Sequence, residues 1–356
     1  HIAGEHKGIQ SQYEFLEKAR SWGFKVPNTS KKCNNLAAVY EFIDYWDTAR
    51  HELPYETDGV VIKIDNLQHQ AQLGYTSKSP RWAMAYKFKA EKVSTVFKSI
   101  DYQVGRTGAL TPVANLSPVL LAGTIVKRAS LHNADQIKKL DLRIGDTVFV
   151  EKGGEIIPKI VGIDKTKRLL NAPLIVYINS CPQCGSSLSR IEGEAKHFCL
   201  NERACPPQII GKISHFISRK ALDIDGLGEE TVSLLYANGL LSNYADLYSL
   251  DPAAVLKLER MAEKSVENML IGIEASKQIP YEKVLFGLGI RFVGETVAKK
   301  LAKAFVSIDG LMAASYEALI SVDEIGDRIA KSVLEFFKDP YQRGLVLRLA
   351  KYGLKL

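Results

Sequence analysis

The chain has 356 residues, 46% of them hydrophobic and 24% charged, the make-up of an ordinary soluble globular protein with room for roughly two to four domains. No apolar run approaches the roughly 18 residues that a helix needs to cross a bilayer. The net charge of +7 suits a polyanionic partner without establishing one.

The start, "HIAGEHKGIQ", has neither the basic and apolar blocks of a signal peptide nor an initiator methionine, and is read as the cut end of a longer chain. Two amphipathic helices are predicted next. "QYEFLEKARSWGF" sets Phe15, Ala19 and Trp22 on one face, and "LAAVYEFIDYWDTA" does the same with Leu36, Val39, Tyr40 and Ile43. Cys33 stands alone between them and reads as a half-buried apolar residue.

Two strands follow. In "TDGVVIKID", alternation puts Val60, Ile62 and Ile64 on one face and Gly59, Val61 and Lys63 on the other. In "RWAMAYKFKA", Trp82, Met84, Tyr86 and Phe88 face one way, and Ala83, Ala85, Lys87 and Lys89 the other. A single strand lysine reads first as a side chain snorkelling to water. Two strands that each pair a bulky packing face with a lysine face floored by small residues point to a ligand lying flat on a sheet, its phosphate met by Lys63 and Lys87.

From about residue 98 to 170 the texture turns to short β-branched runs separated by Gly-Asp, Gly-Gly and Pro signals. They predict a small barrel of the oligonucleotide/oligosaccharide-binding type, or OB-fold. On it, Arg106 and Lys127 are candidates for a phosphate backbone; either alone is equally an ordinary solvated charge.

Four of the five cysteines then fall in "CPQCGSSLSRIEGEAKHFCLNERAC", with spacing C-x2-C-x14-C-x5-C. Two close pairs on a short polar segment are what tetrahedral zinc needs, so Cys181, Cys184, Cys199 and Cys205 are candidate ligands of a structural ion. Disulfides are the competing reading, and nothing else here suggests an oxidising compartment. His197 is read as a surface histidine.

Beyond Cys205 a pattern recurs: "GEETV" at 228, "AEKSV" at 262, "GETVA" at 294 and "GDRIA" at 326, spaced 34, 32 and 32 residues apart. Such a period marks a repeated supersecondary unit. Each copy opens a helix; "ETVAKKLAKAF" places Val297, Leu301 and Phe305 on one stripe. The glycines before three copies are expected to take positive φ and to allow close backbone approach. The units resemble helix-hairpin-helix motifs, which offer free backbone N–H groups to DNA phosphates without reading bases. Gly226, Gly228, Gly294 and Gly326 are the candidate DNA contacts. The second unit, with Met261 and Ala262 in place of glycine, is expected to be structural only. A helical repeat that binds protein is the alternative.

"DGVVIK" and "WAMAYKF" resemble the last two sequence motifs of the nucleotidyltransferase superfamily. Followed in order by a small barrel, four cysteines and the repeats, they make the whole chain similar to bacterial NAD-dependent DNA ligases; "VGRTGALTPVA" points the same way. The resemblance implies a multidomain α+β architecture. Residues 1–96 would be the C-terminal part of a nucleotidyltransferase (adenylation) domain, 97–172 an OB-fold β-barrel, 178–208 a four-cysteine zinc finger, and 209–356 an all-α helix-hairpin-helix domain. It implies that Lys63 contacts the adenylate and that Lys87 binds the α-phosphate and supports its transfer. Asp58 and Gly59 match the motif start, and Arg50 and Arg81 match arginines near the nucleotide.

The cofactors implied are NAD as AMP donor, structural Zn²⁺ and catalytic Mg²⁺. In the family a lysine takes AMP from NAD, passes it to the 5′-phosphate of a nick, and the 3′-hydroxyl displaces it. The partner is nicked double-stranded DNA, bound without sequence preference in replication and repair by a cytoplasmic, nucleoid-associated monomer away from membranes. The family nucleophile sits in K-x-D-G, and "ETDG", "DIDG" and "SIDG" here all lack that lysine. The chain is therefore expected to be a fragment without the N-terminal nucleophile and the C-terminal BRCT domain. Its alternative function is a non-catalytic, zinc-containing DNA-binding module. An ATP-dependent ligase or capping-type transferase would share the lysine strands but not the cysteines and repeats.

Overall fold

A computed structural model describes residues 8–76, 78–152 and 157–356. The Gly-Gly signal at 153–154 and the first seven residues lie outside the described residues. Contacts divide the chain into two compact units. One holds the stretch to Val96 with 116–129 and 147–164; the other holds 97–115, 130–146 and 165–356.

In the first unit, helix α1 (Gln12–Ser21) is capped by Ser11, which accepts from the Glu14 N–H, and α2 (Leu36–Ala49) by Asn35, which accepts from Ala38. The two predicted stripes need correction. Trp22 falls past the end of α1 and is exposed, and Leu36 and Tyr40 of α2 are exposed too. The protected sector of α2 is centred on Val39, Ile43 and Trp46, so Leu36 and Tyr40 lie on its rim. Cys33 is half-buried, as expected, with Sγ 3.5 Å from the Ala38 carbonyl. Strand β1 (Gly59–Lys63), helix α3 (Leu67–Leu73) and strand β2 (Ala83–Lys87) follow, and β1 and β2 pair antiparallel.

Strands β3 (Lys92–Val104), β4 (Leu110–Leu121), β5 (Thr124–Ser130), β6 (Thr147–Glu151) and β7 (Lys159–Asp164) form the expected closed barrel, in the order β3-β4-β5-β7-β6. Helix α4 (Ala134–Leu140) sits between β5 and β6. Alternation fills the interior: Val148 and Val150 of β6 are fully buried. The turn into β6 is fixed by Asp146, which has no exposed surface. Arg168 donates to both oxygens of its carboxylate at 2.9 Å, and the Arg143 N–H donates at 2.8 Å. The Phe97 N–H closes the turn onto β3 by donating to the Asp146 carbonyl.

In the second unit, a two-stranded ribbon of β8 (Leu188–Arg190) and β9 (His197–Cys199) precedes the helices. These are α5 (Pro206–Ile217), α6 (Glu229–Ala237), α7 (Pro252–Val255), α8 (Glu263–Ser276), α9 (Tyr281–Gly287), α10 (Glu295–Phe305), α11 (Ile308–Met312), α12 (Tyr316–Ile320), α13 (Asp327–Lys338) and α14 (Pro340–Lys351). They share one core, from Ile209 to Leu354. Leu301 is fully buried in it, with Val297 and Phe305 packed alongside, as their stripe predicts.

The repeat is geometrically regular in a way the letters mislead about. Gly228, Ala262, Gly294 and Gly326 all have extended backbone with negative φ, and each N-caps the helix that follows. Positive φ occurs two residues earlier, at Gly226, Arg260, Phe292 and Glu324, with values of 79°, 66°, 66° and 65°. So three of the glycines expected to supply positive φ do not; Gly226 alone does.

Replacing Arg168 with Ala leaves the Asp146 carboxylate buried and uncompensated, and is expected to cost about 3 kcal/mol. Urea unfolding measures it, and a change below about 1 kcal/mol would mean the pair does not hold the turn.

Candidate functional site

The β1–β2 ladder pairs Gly59 with Lys87, Val61 with Ala85, and Lys63 with Ala83. Directly paired residues point to the same face. Lys63 and Lys87 therefore share one face, floored by Gly59, Val61, Ala83 and Ala85, at opposite ends of the ladder with Cα atoms about 14 Å apart. Gly59 is fixed by packing: a Cβ there would come 2.1 Å from the Tyr86 carbonyl oxygen. Lys87 Nζ lies 3.2 Å from the Asp58 carboxylate, whereas Lys63 forms no ion pair among the described residues. The opposite face is not the packed surface its side chains suggest. Met84 is 68% exposed and Tyr86 is exposed, while Phe88, just past the strand, is buried. A two-stranded ribbon has too little surface to cover both faces of itself.

Arg50 is anchored. Its guanidinium stacks 4.8 Å from the centre of the Phe88 ring and donates to the Thr57 carbonyl at 3.1 Å, tying the end of α2 to the start of β1. It lines a hollow of about 900 Å³ with Asp58, Phe88, Lys89, Glu91 and Lys152. The alternation missed Lys152, because it lies beyond the end of β6. Arg81 is exposed in the turn before β2, its N–H donating to Gly74.

The four cysteine sulfurs lie within 4.8 Å of one another. Separations of 3.5 Å for Cys184–Cys199 and 3.9 Å for Cys181–Cys205 are too long for disulfides and suit a tetrahedral Zn–S₄ centre, whose sulfurs stand about 3.8 Å apart. Hydrogen bonding to Ser186 holds the Cys184 thiol down to about 6, whereas burial pushes Cys199 up to about 11 and Cys205 up to about 12. One ligand is thus ready as thiolate, and a divalent cation would have to draw protons from the buried ones. His197, expected at the surface, is instead partly buried against the Tyr177 ring, 4.6 Å between centres. Alternation across β9 turns it toward that ring.

The segment "VGRTGA" is where the barrel meets this centre. The Cys199 N–H donates to the Gly108 carbonyl at 2.9 Å, and Gln208 donates to the Cys199 carbonyl at 2.9 Å. Gly108 has φ of 77°, and a Cβ on it would come 2.2 Å from the Cys199 carbonyl oxygen. Arg106 is half-buried, not a free surface charge. Its Cβ abuts Gly211 of α5, its guanidinium abuts Gly289, and no carboxylate pairs with it among the described residues. Burial lowers its pKa. Lys127 is exposed on β5.

Three of the repeat glycines, Gly228, Gly294 and Gly326, have open space where a Cβ would stand. The chain's own packing therefore gives no reason for glycine there. Gly226 differs: a Cβ would press on the Met269 backbone at 3.0 Å. The second unit keeps the same backbone and adds only the Ala262 methyl.

Residues 1–91 match the family model for the NAD-dependent DNA ligase adenylation domain, 94–172 that for the NAD-dependent DNA ligase OB-fold domain, and 180–206 that for the NAD-dependent DNA ligase C4 zinc finger domain. Residues 218–275 match a SAM-like helix-hairpin-helix tandem and 283–346 a helix-hairpin-helix motif. The chain is 63% identical over 354 residues to a DNA ligase of Flavobacterium johnsoniae, covering 99% of this chain and 53% of that protein. It is 63% identical over 355 residues to a DNA ligase of Christiangramia forsetii, covering 100% and 54%, and 56% identical over 356 residues to one of Phocaeicola vulgatus, covering 100% and 54%. The chain spans about half the length of the curated relatives it matches.

Gly108→Ala combines positive φ with a backbone collision and is expected to destabilise the second unit by about 2–4 kcal/mol. Hydrogen exchange should show protection lost first at β9 and α5. Unchanged protection there would mean that the barrel turn does not hold the cysteine ribbon.

Proposed function

We propose that this chain, which is built of the adenylation, OB-fold, zinc-finger and helix-hairpin-helix domains of the NAD-dependent DNA ligases, works in sealing 5′-phosphate/3′-hydroxyl nicks in duplex DNA. The observation that carries this reading is the register that gives Lys63 and Lys87 a common face over small residues, within the stretch matching the ligase adenylation domain. Lys63 would meet the adenylate and Lys87 its α-phosphate, from opposite ends of a nucleotide lying along the ladder. Charge gathers at phosphorus in each transfer, and cations held beforehand stabilise that charge more in the transition state than in the ground state. NAD would supply the AMP group, and Mg²⁺ would neutralise phosphate charge. Asp58 and Gly59 would shape the Lys87 end with Arg50 beside them, and Arg81 would flank the Lys63 end.

Zinc held by Cys181, Cys184, Cys199 and Cys205 would be structural, since all four positions are filled by protein sulfur. The open space over Gly228, Gly294 and Gly326 supports a close approach of phosphates to the N–H groups opening α6, α10 and α13. Such a grip is independent of base sequence. With Lys127, and with Arg106 positioned beside α5, it would hold nicked DNA for a cytoplasmic, nucleoid-associated monomer in replication and repair.

A second reading, a zinc-containing DNA-binding module without catalysis, is favoured by one observation: these 356 residues contain no K-x-D-G lysine to take up AMP. A nick already carrying 5′-AMP bypasses that step. Sealing of this substrate is expected, and Lys87→Ala should slow it about 10²–10³-fold while leaving duplex affinity unchanged. Binding without any sealing would favour the module. Cys205→Ser is expected to abolish zinc retention, read by metal analysis, and to loosen the start of α5; full zinc content in that variant would remove Cys205 from the ligand set.

A further inference from the structure

The third and fourth hairpins carry a cluster of charge that the phosphate grip described above does not use. Phe292, at the positive-φ position that all four hairpins share, holds its ring partly exposed. Two guanidiniums stack on that ring: Arg291 at 4.8 Å and Arg328, from the first turn of α13, at 4.6 Å. Both donate through Nη2 to the same oxygen, Oε1 of Glu194, at 2.9 and 3.2 Å. Glu194 comes from the turn between β8 and β9, more than 90 residues away. Arg291 is held further by stacking over Phe198 and by its carbonyl accepting from the Ser332 hydroxyl at 2.7 Å.

Two arginines converging on one carboxylate oxygen leave a surplus positive charge. Arg328 is 71% exposed and Arg291 38%, so the guanidiniums open to solvent. Exposed ion pairs of this kind are weak, whereas a duplex presents a phosphate about every 1.7 Å of its axis. Planar guanidiniums fixed against a ring suit a phosphate as well as they suit a carboxylate.

We propose that Glu194 is a built-in stand-in for a DNA phosphate. It occupies the Arg291–Arg328 pair in the free protein and is displaced when a phosphodiester of duplex DNA enters between the third and fourth hairpins. The inference rests on the DNA-gripping reading above and adds a residue that competes with the substrate. Phe292 keeps both guanidiniums oriented in either state. The turn carrying Glu194 runs directly into β9, which ends at Cys199 five residues on, and so acts as a tethered internal competitor.

The test is duplex affinity of this whole chain, with a fluorescently labelled nicked duplex of arbitrary sequence, across a salt series. Glu194→Gln is expected to tighten binding about twofold to fivefold. Arg328→Ala, at a position 71% exposed, should weaken it and reduce the salt slope by about one. In the Arg291→Ala, Arg328→Ala background the gain from Glu194→Gln should vanish. Weaker or unchanged binding by Glu194→Gln at wild-type zinc content, or a gain that persists without the arginines, would make Glu194 a simple strut and overturn the proposal. Absence of duplex binding by every form would defeat the gripping reading itself, which retained binding with no Glu194 effect would leave standing.

Discussion

Four thiols converging within 4.8 Å form the constraint on which the second unit depends. The segment around them is short and polar, and its core is small: Leu110 and three of the cysteines, with Tyr102, Val104, Ile178, Cys184 and Leu188 packed against them. So little apolar surface cannot offset the ordering of the chain by itself. On the reading proposed, zinc supplies the difference. The ligands also reach outward. Cys205 N-caps α5, the first helix of the repeats, and Cys199 exchanges backbone contact with the turn between β3 and β4. A single centre thereby sets the start of the helical core and the position of "VGRTGA" together.

The strong features of the fold were legible because they rest on short-range periodicity. Alternation pointed to the lysine face, and the C-x2-C and C-x5-C pairs pointed to the convergent sulfurs. What was hidden follows from information a local pattern lacks. Met84 and Tyr86 carry the side chains of a packing face, yet burial depends on what lies over a face, and the pattern specifies only its direction. Leu36 and Tyr40 belong to an apolar stripe whose protected sector is turned slightly away from them. In the repeats the recurring glycine letter and the left-handed backbone position are two residues apart, so the usual role of glycine falls to Arg260, Phe292 and Glu324 in three of the four units. Arg106 reads as any basic surface residue until α5 and Gly289 are seen against it.

The electrostatics of the second unit are organised by contact between motifs. Arg203 pairs with Asp339 and stacks over Tyr341, and Arg190 pairs with Asp135. Each link is exposed and individually weak. Their joint effect is directional, since planar guanidiniums bonded to carboxylates fix orientation better than apolar packing does. The surplus positive charge is then carried by side chains that the fold already aims.

On the proposed reading, two physical tasks fall to two kinds of positive group. At the repeats the donors would be backbone N–H groups at helix starts, joined by the Arg291–Arg328 pair; the backbone groups are modest in strength and rigid in position, which suits holding a phosphate backbone without regard to sequence. On the β1–β2 ladder the donors are lysines, compact charges on flexible stems above a floor kept low by glycine and alanine. Flexible point charges can follow a phosphorus whose geometry changes during transfer, which a helix terminus cannot. On that reading the residues that grip DNA are not those that act at the nucleotide, so affinity for DNA is set independently of the chemistry.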